Sequence, residues 1–319
     1  MENAKSESSG SESSGSIEKN GEYMVTVRKK KKFNKEAAAG ILFASPWIIG
    51  LLVFTIYPII ASLVFSFSNH NSFVITRWGF FNFTTVFADV FFSDGFRNTL
   101  WMVAFNVPIS TVLGVLIGRI LCSETFGLKI YRTIFYLPAV ASIVAVAFMW
   151  QWIFNTAGPL NSILDIFGIP SVGWLTDERA VKPALLIMNA WGVGGTIILY
   201  LAAFSNVPVD LYEAADIDGA GTVRKFFKIT LPQISPVISF NVLMGIIGGF
   251  QYFLPALLMT HGGPGRSSYF IGQVIYENAF RQGLMGYASA ISWILFVVIF
   301  CISLIYLKLS KKITYYAGE

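Results

Sequence analysis

Tyr212-Glu-Ala-Ala-Asp-Ile-Asp-Gly-Ala-Gly-Thr-Val-Arg-Lys-Phe-Phe-Lys-Ile-Thr-Leu-Pro232 is a polar stretch set between two long apolar segments. Asp210 and Glu213 stand three apart ahead of an alanine pair, the capping-box spacing, so a short helix is expected to begin near Leu211. Gly219 and Gly221 suit the left-handed backbone that ends such a helix, Thr222 suits the cap of a second one, and Pro232 limits how far that second helix runs. The expected product is helix, glycine elbow, helix.

Outward from this bracket the chain is apolar. With 319 residues, 55% of them hydrophobic and 13% charged, the composition is that of a polytopic membrane protein. The net charge of +5 does not argue for nucleic acid, because the basic residues cluster in short segments beside apolar stretches. Cys122 and Cys301 form no CxxC or CxxH arrangement, so no metal site or disulfide framework is readable, and His70 and His261 stand alone. Residues 1–34 are Ser/Glu/Gly-rich and then basic from Arg28 to Lys32. They read as a disordered cytoplasmic tail with a membrane-proximal anchor rather than a cleaved signal. Residues 35–319 read as one six-helix domain whose bracket loop is 206–234.

Six apolar stretches, about 37–66, 97–121, 131–154, 183–205, 235–258 and 285–308, each meet the roughly 20 residues a crossing needs. With both termini inside, the tail, Arg119, Lys129, Arg132, Arg224, Lys225, Lys228, Lys308, Lys311 and Lys312 fall on the cytoplasmic side. Arg77, Arg97, Arg179, Lys182, Arg266 and Arg281 fall outside. That asymmetry places the bracket in the cytoplasm. The outer loops, about 67–96, 155–182 and 259–284, are rich in aromatics, which read as interfacial anchors or as contacts for an extracellular partner.

The apolar cores hold no Asp, Glu, Lys, Arg or His at bilayer depth, which argues against coupling to protons or sodium. The chain has no G-x-x-x-x-G-K-[ST] phosphate loop, so ATP energy would have to come from another subunit. No paired acids or activated nucleophile appear at depth, and no catalytic residue is assigned.

The spacing E-A-A, three residues, G, nine residues, I-x-L-P is complete in Glu213, Ala214, Ala215, Gly219, Ile229, Leu231 and Pro232. With Asn206-Val-Pro-Val-Asp-Leu-Tyr before it, and His261-Gly-Gly-Pro264 and Met285-Gly-Tyr-Ala-Ser-Ala290 after it, the chain resembles the membrane subunits of ATP-binding-cassette importers. Within them it is similar to carbohydrate-uptake permeases related to the larger maltose-transporter subunit, over about residues 40–310. The resemblance implies an all-α, six-helix type I permease in the bacterial plasma membrane, with both termini cytoplasmic. It implies no cofactor in this chain, ATP and Mg on the ATPase, and as partners a second homologous permease, two ATPase subunits and an extracellular solute-binding protein. It further implies that Glu213, Ala214, Ala215, Asp216, Gly219, Leu231 and Pro232 form the ATPase-coupling element. The cargo implied is an oligosaccharide. Import of a glycerol phosphodiester or other polar phosphate is the alternative within the family, and an ion-gradient-driven carrier the alternative outside it.

Two glycine-rich faces complete the reading. Trp191, Gly192, Gly195 and Thr196 lie near the middle of the fourth stretch, and Gly245, Gly248, Gly249 and Tyr252 follow an i, i+3, i+4, i+7 pattern in the fifth. The resemblance implies sugar contact on these two helices, with Gln251 nearby. Small residues at such spacings also serve helix packing, so pocket and packing both stay open.

Overall fold

The computed structural model describes residues 17–19, 22–24, 35–71, 74–122, 127–312 and 314. Most of the expected tail, including the basic run Arg28–Lys32, lies outside the described residues. Within the tail, β1 (Ile17–Lys19) and β2 (Glu22–Met24) pair antiparallel. A second antiparallel pair, β3 (Ser68–Asn71) with β4 (Val74–Trp78), follows the first long helical run.

The rest is helical. In chain order the helices are α1 (Lys35–Leu51), α2 (Tyr57–Ser66), α3 (Phe81–Ala88), α4 (Val90–Leu121), α5 (Leu128–Val140) and α6 (Ile143–Ile153). Then follow α7 (Pro159–Ile166), α8 (Val181–Trp191), α9 (Gly194–Ser205), α10 (Val209–Ile217), α11 (Thr222–Lys225) and α12 (Leu231–Gln233). The last are α13 (Ser235–Phe250), α14 (Leu254–Thr260), α15 (Ile271–Tyr276) and α16 (Met285–Ser310). Three runs are individually long and apolar enough to cross a membrane: Ala39–Ser66, Val90–Leu121 and Met285–Ser310. Three bent pairs qualify if each is one span: Ile130–Val140 with Ile143–Ile153 (103°), Val181–Trp191 with Gly194–Ser205 (46°), and Thr222–Gln233 with Ser235–Phe250 (64°).

The fifth expected stretch, 235–258, is not one helix. It stops at Phe250, turns through Gln251–Phe253 and restarts as α14 over Leu254–Thr260, where Pro255 stands in the first turn. By length and composition α13 pairs instead with the run Thr222–Gln233 across a 64° bend.

Contacts divide the chain at Pro58 into two units, 1–58 and 59–319. In the first, α1 carries Pro46 and passes into a π-helical turn, Leu52–Ile56, whose end is marked by the Tyr57 N–H bonding the Leu52 carbonyl. Pro58 explains that turn: it offers no N–H to Phe54, and its ring crowds the Phe54 carbonyl, so a wider turn relieves the helix.

The second unit is built on α4. This helix starts earlier than the expected 97 because Asp89 caps it, accepting a hydrogen bond from the Phe91 N–H at 2.8 Å. Asp94 and Arg97 therefore lie in its opening turns, outside the apolar core of the span. Helices α8, α9, α13 and α15 pack along α4. Glycines allow the close approach: a Cβ at Gly95 would stand 2.9 Å from Val274, and one at Gly114 would stand 2.8 Å from the Tyr200 ring. One apolar cluster joins α4, α13, α15 and α16 around Phe250, Ile271 and Ile291, and a second joins α4, α6, α8 and α14 around Trp150, Leu185 and Met188.

The segments beyond these spans are fixed by polar side chains. Asn98 donates to the carbonyls of Arg266 (2.8 Å) and Tyr269 (2.9 Å), and the Ile271 N–H donates to Thr99 Oγ1 at 3.0 Å. Arg266 pairs with Asp94 at 2.9 Å. Tyr269 donates its hydroxyl to Glu277 at 2.5 Å, and burial, together with this carboxylate, pushes the phenol well above its ordinary range.

Candidate functional site

The bracket folds as helix, elbow, helix. Its first helix, α10, begins at Val209 behind Pro208, whose φ of −58° and ψ of 132° set the chain direction, and no side chain caps it. The expected capping box between Asp210 and Glu213 is not formed, because starting two residues before Leu211 puts both carboxylates inside the helix. Asp210 instead complements the helix dipole from the first turn. At the other end the Ala220 N–H bonds the Ala215 carbonyl (2.9 Å) and the Gly219 N–H bonds the Asp216 carbonyl (3.0 Å), with Gly219 at φ +70°. This is a Schellman motif, and its left-handed position favours glycine. Gly221, also expected to be left-handed, is extended (φ −68°, ψ 162°) and occupies the cap position of the next helix. Thr222 is consequently the first helical residue and caps nothing.

The second limb runs unbroken from Thr222 to Gln233 as α11, a π-helical turn Phe226–Thr230 and α12. It ends at Gln233, one residue past Pro232. The Leu231 N–H bonds the Phe226 carbonyl across the wide turn, the same relief that precedes Pro58. Two contacts close the limbs on each other: Tyr212 Oη to Thr230 Oγ1 at 2.7 Å, and Lys225 Nζ to Asp216 Oδ1. Ala215, Ala220, Arg224 and Lys228 line a cavity of about 410 Å³ between them. Ile217, at the end of α10, is 89% exposed.

The glycine faces divide into two groups. Trp191, Gly192, Gly195, Gly248 and Gln251 are exposed, and a Cβ at Gly195 or Gly248 would meet nothing within 4 Å. Gly249 is buried with Val103 2.9 Å from its would-be Cβ, Gly245 faces Val107 at 3.5 Å, and Thr196 packs against Gly114. Gly245 and Gly249 are therefore packing glycines against α4. Tyr252 lies past the end of α13, so it does not share the helical face expected for it. Its ring meets Phe270 edge-on at 5.3 Å.

Around Tyr252 the structure adds groups absent from the sequence reading. Trp150 meets Trp191 edge-on at 6.0 Å. Trp150 Nε1 is buried with no hydrogen-bond partner among the described residues, and the Asn189 side chain adjoins the buried Tyr252 hydroxyl. A buried polar atom left unpaired costs about 1–3 kcal/mol, and Trp150, which carries one, meets the exposed Trp191. Asn189 stands two residues before Trp191, a polar residue in an apolar run that the search for charged groups passed over. No cluster of three or more His, Cys, Asp or Glu suited to a metal occurs among the described residues.

Residues 110–315 match the family described as "Binding-protein-dependent transport system inner membrane component". The chain is 36% identical to "Probable ABC transporter permease protein YesP" of Bacillus subtilis (strain 168), over 92% of this chain and 97% of that one. It is 32% identical to "Arabinooligosaccharides transport system permease protein AraP" of the same organism, over 87% of this chain and 90% of that one. A chain from a crystal structure of a bacterial alginate ABC transporter, in complex with an alginate pentasaccharide-bound periplasmic protein, superposes with a TM-score of 0.76 at 26% identity, covering 89% of this chain and 99% of its own. The chain is an integral membrane protein and belongs to the family of inner-membrane permease components of binding-protein-dependent ABC transport systems.

Proposed function

We propose that this chain is one of two homologous permease subunits of an ATP-driven importer that carries an oligosaccharide across the bacterial plasma membrane by alternating access. The observation that carries the reading is the bracket: the full E-A-A…G…I-x-L-P spacing folds into a helix whose exit angle is held by a Schellman elbow and two cross-limb contacts. Such an element transmits displacement. Ala214 and Ala215 leave room for close approach of an ATPase subunit, and covering Ile217 would contribute about 1.5–3 kcal/mol. Glu213 and Asp216 offer charge to that partner, and Leu231 and Pro232 carry the motion into α13.

Carbohydrate cargo is supported by the arabinooligosaccharide and alginate relatives. It is supported too by the chemistry beside Trp191, where an aromatic face and neutral polar groups suit a hydroxyl-rich ligand. In this reading Trp191 and Gln251 border the path with Gly192, Gly195 and Gly248, while Asn189, Trp150 and Tyr252 supply hydrogen-bonding groups. The chain itself is non-catalytic: two ATPase subunits, with ATP and Mg, supply the energy, and an extracellular solute-binding protein delivers the sugar. Closure of the ATPase pair moves the bracket and shifts the population of outward- and inward-open states. Both termini and the bracket face the cytoplasm. The test is mild detergent extraction of the tagged chain from its own membrane. Co-purification of an ATPase whose activity rises with sugar-loaded binding protein is the expected result, and an isolated chain without associated ATPase activity would contradict the reading.

A further inference from the structure

A cavity of about 330 Å³ opens where the end of α6, the end of α14 and the loop before α8 meet. It adjoins the apolar cluster around Met102, near the start of α4, whereas the bracket packs near Val115, toward the other end of that helix. Gln151, Asn155, Thr156, Trp174, Thr176 and His261 line it, over an apolar floor that includes Phe154. The lining contains no Asp, Glu, Lys or Arg. A charged ligand would find no counter-charge there, while a neutral ring bearing hydroxyls meets amides, hydroxyls and an indole.

The walls are held in place by one buried amide. Asn161 donates to the carbonyls of Thr156 (3.0 Å) and Val172 (2.9 Å), and its oxygen accepts from the Val172 N–H (3.1 Å) and from Trp174 Nε1 (3.0 Å). Gln151 Nε2 donates to the Met259 carbonyl at 3.2 Å and ties α6 to α14. Trp174 thus has its N–H engaged and its orientation fixed, which leaves the ring as its contribution to the cavity. A ligand entering this space would not have to order the loop first.

Trp174 is also one end of a run of packed rings. It meets Phe154 at 5.8 Å, Phe154 meets Trp150 at 4.9 Å, and Trp150 meets Trp191 at 6.0 Å. The middle of the run is buried, with Phe154 1% and Trp150 9% exposed, while Trp191 is 40% exposed and Trp174 half-buried. Roughly 15 Å of helix separates Trp191 from the start of α8, and the loop leading into that start carries Trp174. Two accessible indoles therefore stand at the two ends of one rigid aromatic spine.

We infer that this cavity is an outer subsite that receives one end of a neutral oligosaccharide whose other end lies at Trp191. The inference rests on the reading of the chain as a sugar permease and adds to it a second contact point and a charge class. A sugar of two units occupies one subsite at a time, and a longer chain engages both. Uptake is then graded by chain length through Trp174 and its neighbours.

The test uses the assembled transporter in proteoliposomes with its binding protein in excess. The probes are neutral oligosaccharides of two and of five units from hydrolysed arabinan and starch. The readout is the ratio of maximal uptake rates, five units to two. Thr176→Trp, at an exposed position, fills the cavity and should lower that ratio about tenfold. Trp174→Leu should lower it in the same sense, and Trp174→Phe, which keeps an aromatic face, should lower it less. A benzophenone side chain at Thr176 should label the five-unit probe during uptake. A wild-type ratio in membrane-inserted Thr176→Trp would overturn the inference and leave sugar import standing, as would a benzophenone that labels the binding protein and no sugar. Failure of the wild type to import any of the probes would instead contradict the sugar-permease reading, and the inference with it.

Discussion

Gly219 gives the sharpest perturbation of the bracket. Its φ of +70° lies where a side chain is disfavoured, yet a Cβ there would meet nothing within 4 Å. Gly219→Ala therefore carries no clash, only the backbone penalty of about 1–2 kcal/mol for a left-handed residue. That energy converts to roughly a 5–30-fold loss in the population of the native elbow. Asn, which tolerates this region better, should cost less. Gly219→Pro differs in kind: φ is confined near −65°, and the N–H that bonds the Asp216 carbonyl at 3.0 Å is removed, so the elbow cannot form. The assay is sugar uptake and ATP hydrolysis by the assembled transporter, measured at matched membrane levels of each variant. Uptake per ATP should fall in the order Gly, Asn, Ala, Pro, with ATP hydrolysis continuing in the proline variant. Wild-type uptake per ATP from Gly219→Pro would refute the assignment of the elbow.

Other substitutions separate the remaining roles. Tyr212→Phe and Thr230→Val each break the 2.7 Å hydroxyl contact between the limbs; a double-mutant cycle on thermal stability should show a coupling of about 1 kcal/mol. Asp216→Asn removes an ion pair whose carboxylate is 63% exposed, so its effect on the melting midpoint should be near zero, below about 1 kcal/mol. Gly249→Val drives a side chain into Val103 and should reduce recovery of folded protein by size-exclusion chromatography. Gly248→Ala enters open space and should leave recovery intact while altering uptake. Trp191→Ala and Asn189→Leu should raise the KM for sugar uptake at unchanged basal ATPase activity; loss of assembly in both would reassign them to packing.

The bracket was legible from the sequence because its signature is local: the spacing from Glu213 to Pro232 fixes a helix and a turn within hydrogen-bonding reach of each other. The cap was misjudged because Pro208 competes with Asp210 for the helix start, and a two-residue shift swallows the capping box. Pro232 was legible as a limit, since the limb ends at Gln233, but the π-helical turn that admits the proline into the helix was not. The glycine pattern of α13 read as one stripe, yet its members divide by what stands opposite, Val103 and Val107 on α4 for Gly249 and Gly245, open space for Gly248. That division depends on a helix more than a hundred residues away in sequence, and no local period encodes it. Asn189 escaped notice for a related reason: it is neutral, and only its place beside the buried Tyr252 hydroxyl gives it meaning.

The central claim is that ATP hydrolysed on a separate subunit drives this permease through α10. The direct measurement is sugar uptake into proteoliposomes holding the assembled transporter, with ATP enclosed on the ATPase side, sugar-loaded binding protein outside, and all ion gradients collapsed by ionophores. The account expects full uptake under these conditions and a large loss when the exposed Ile217 is changed to Asp. Uptake that vanishes with the ion gradients and is indifferent to ATP would contradict it.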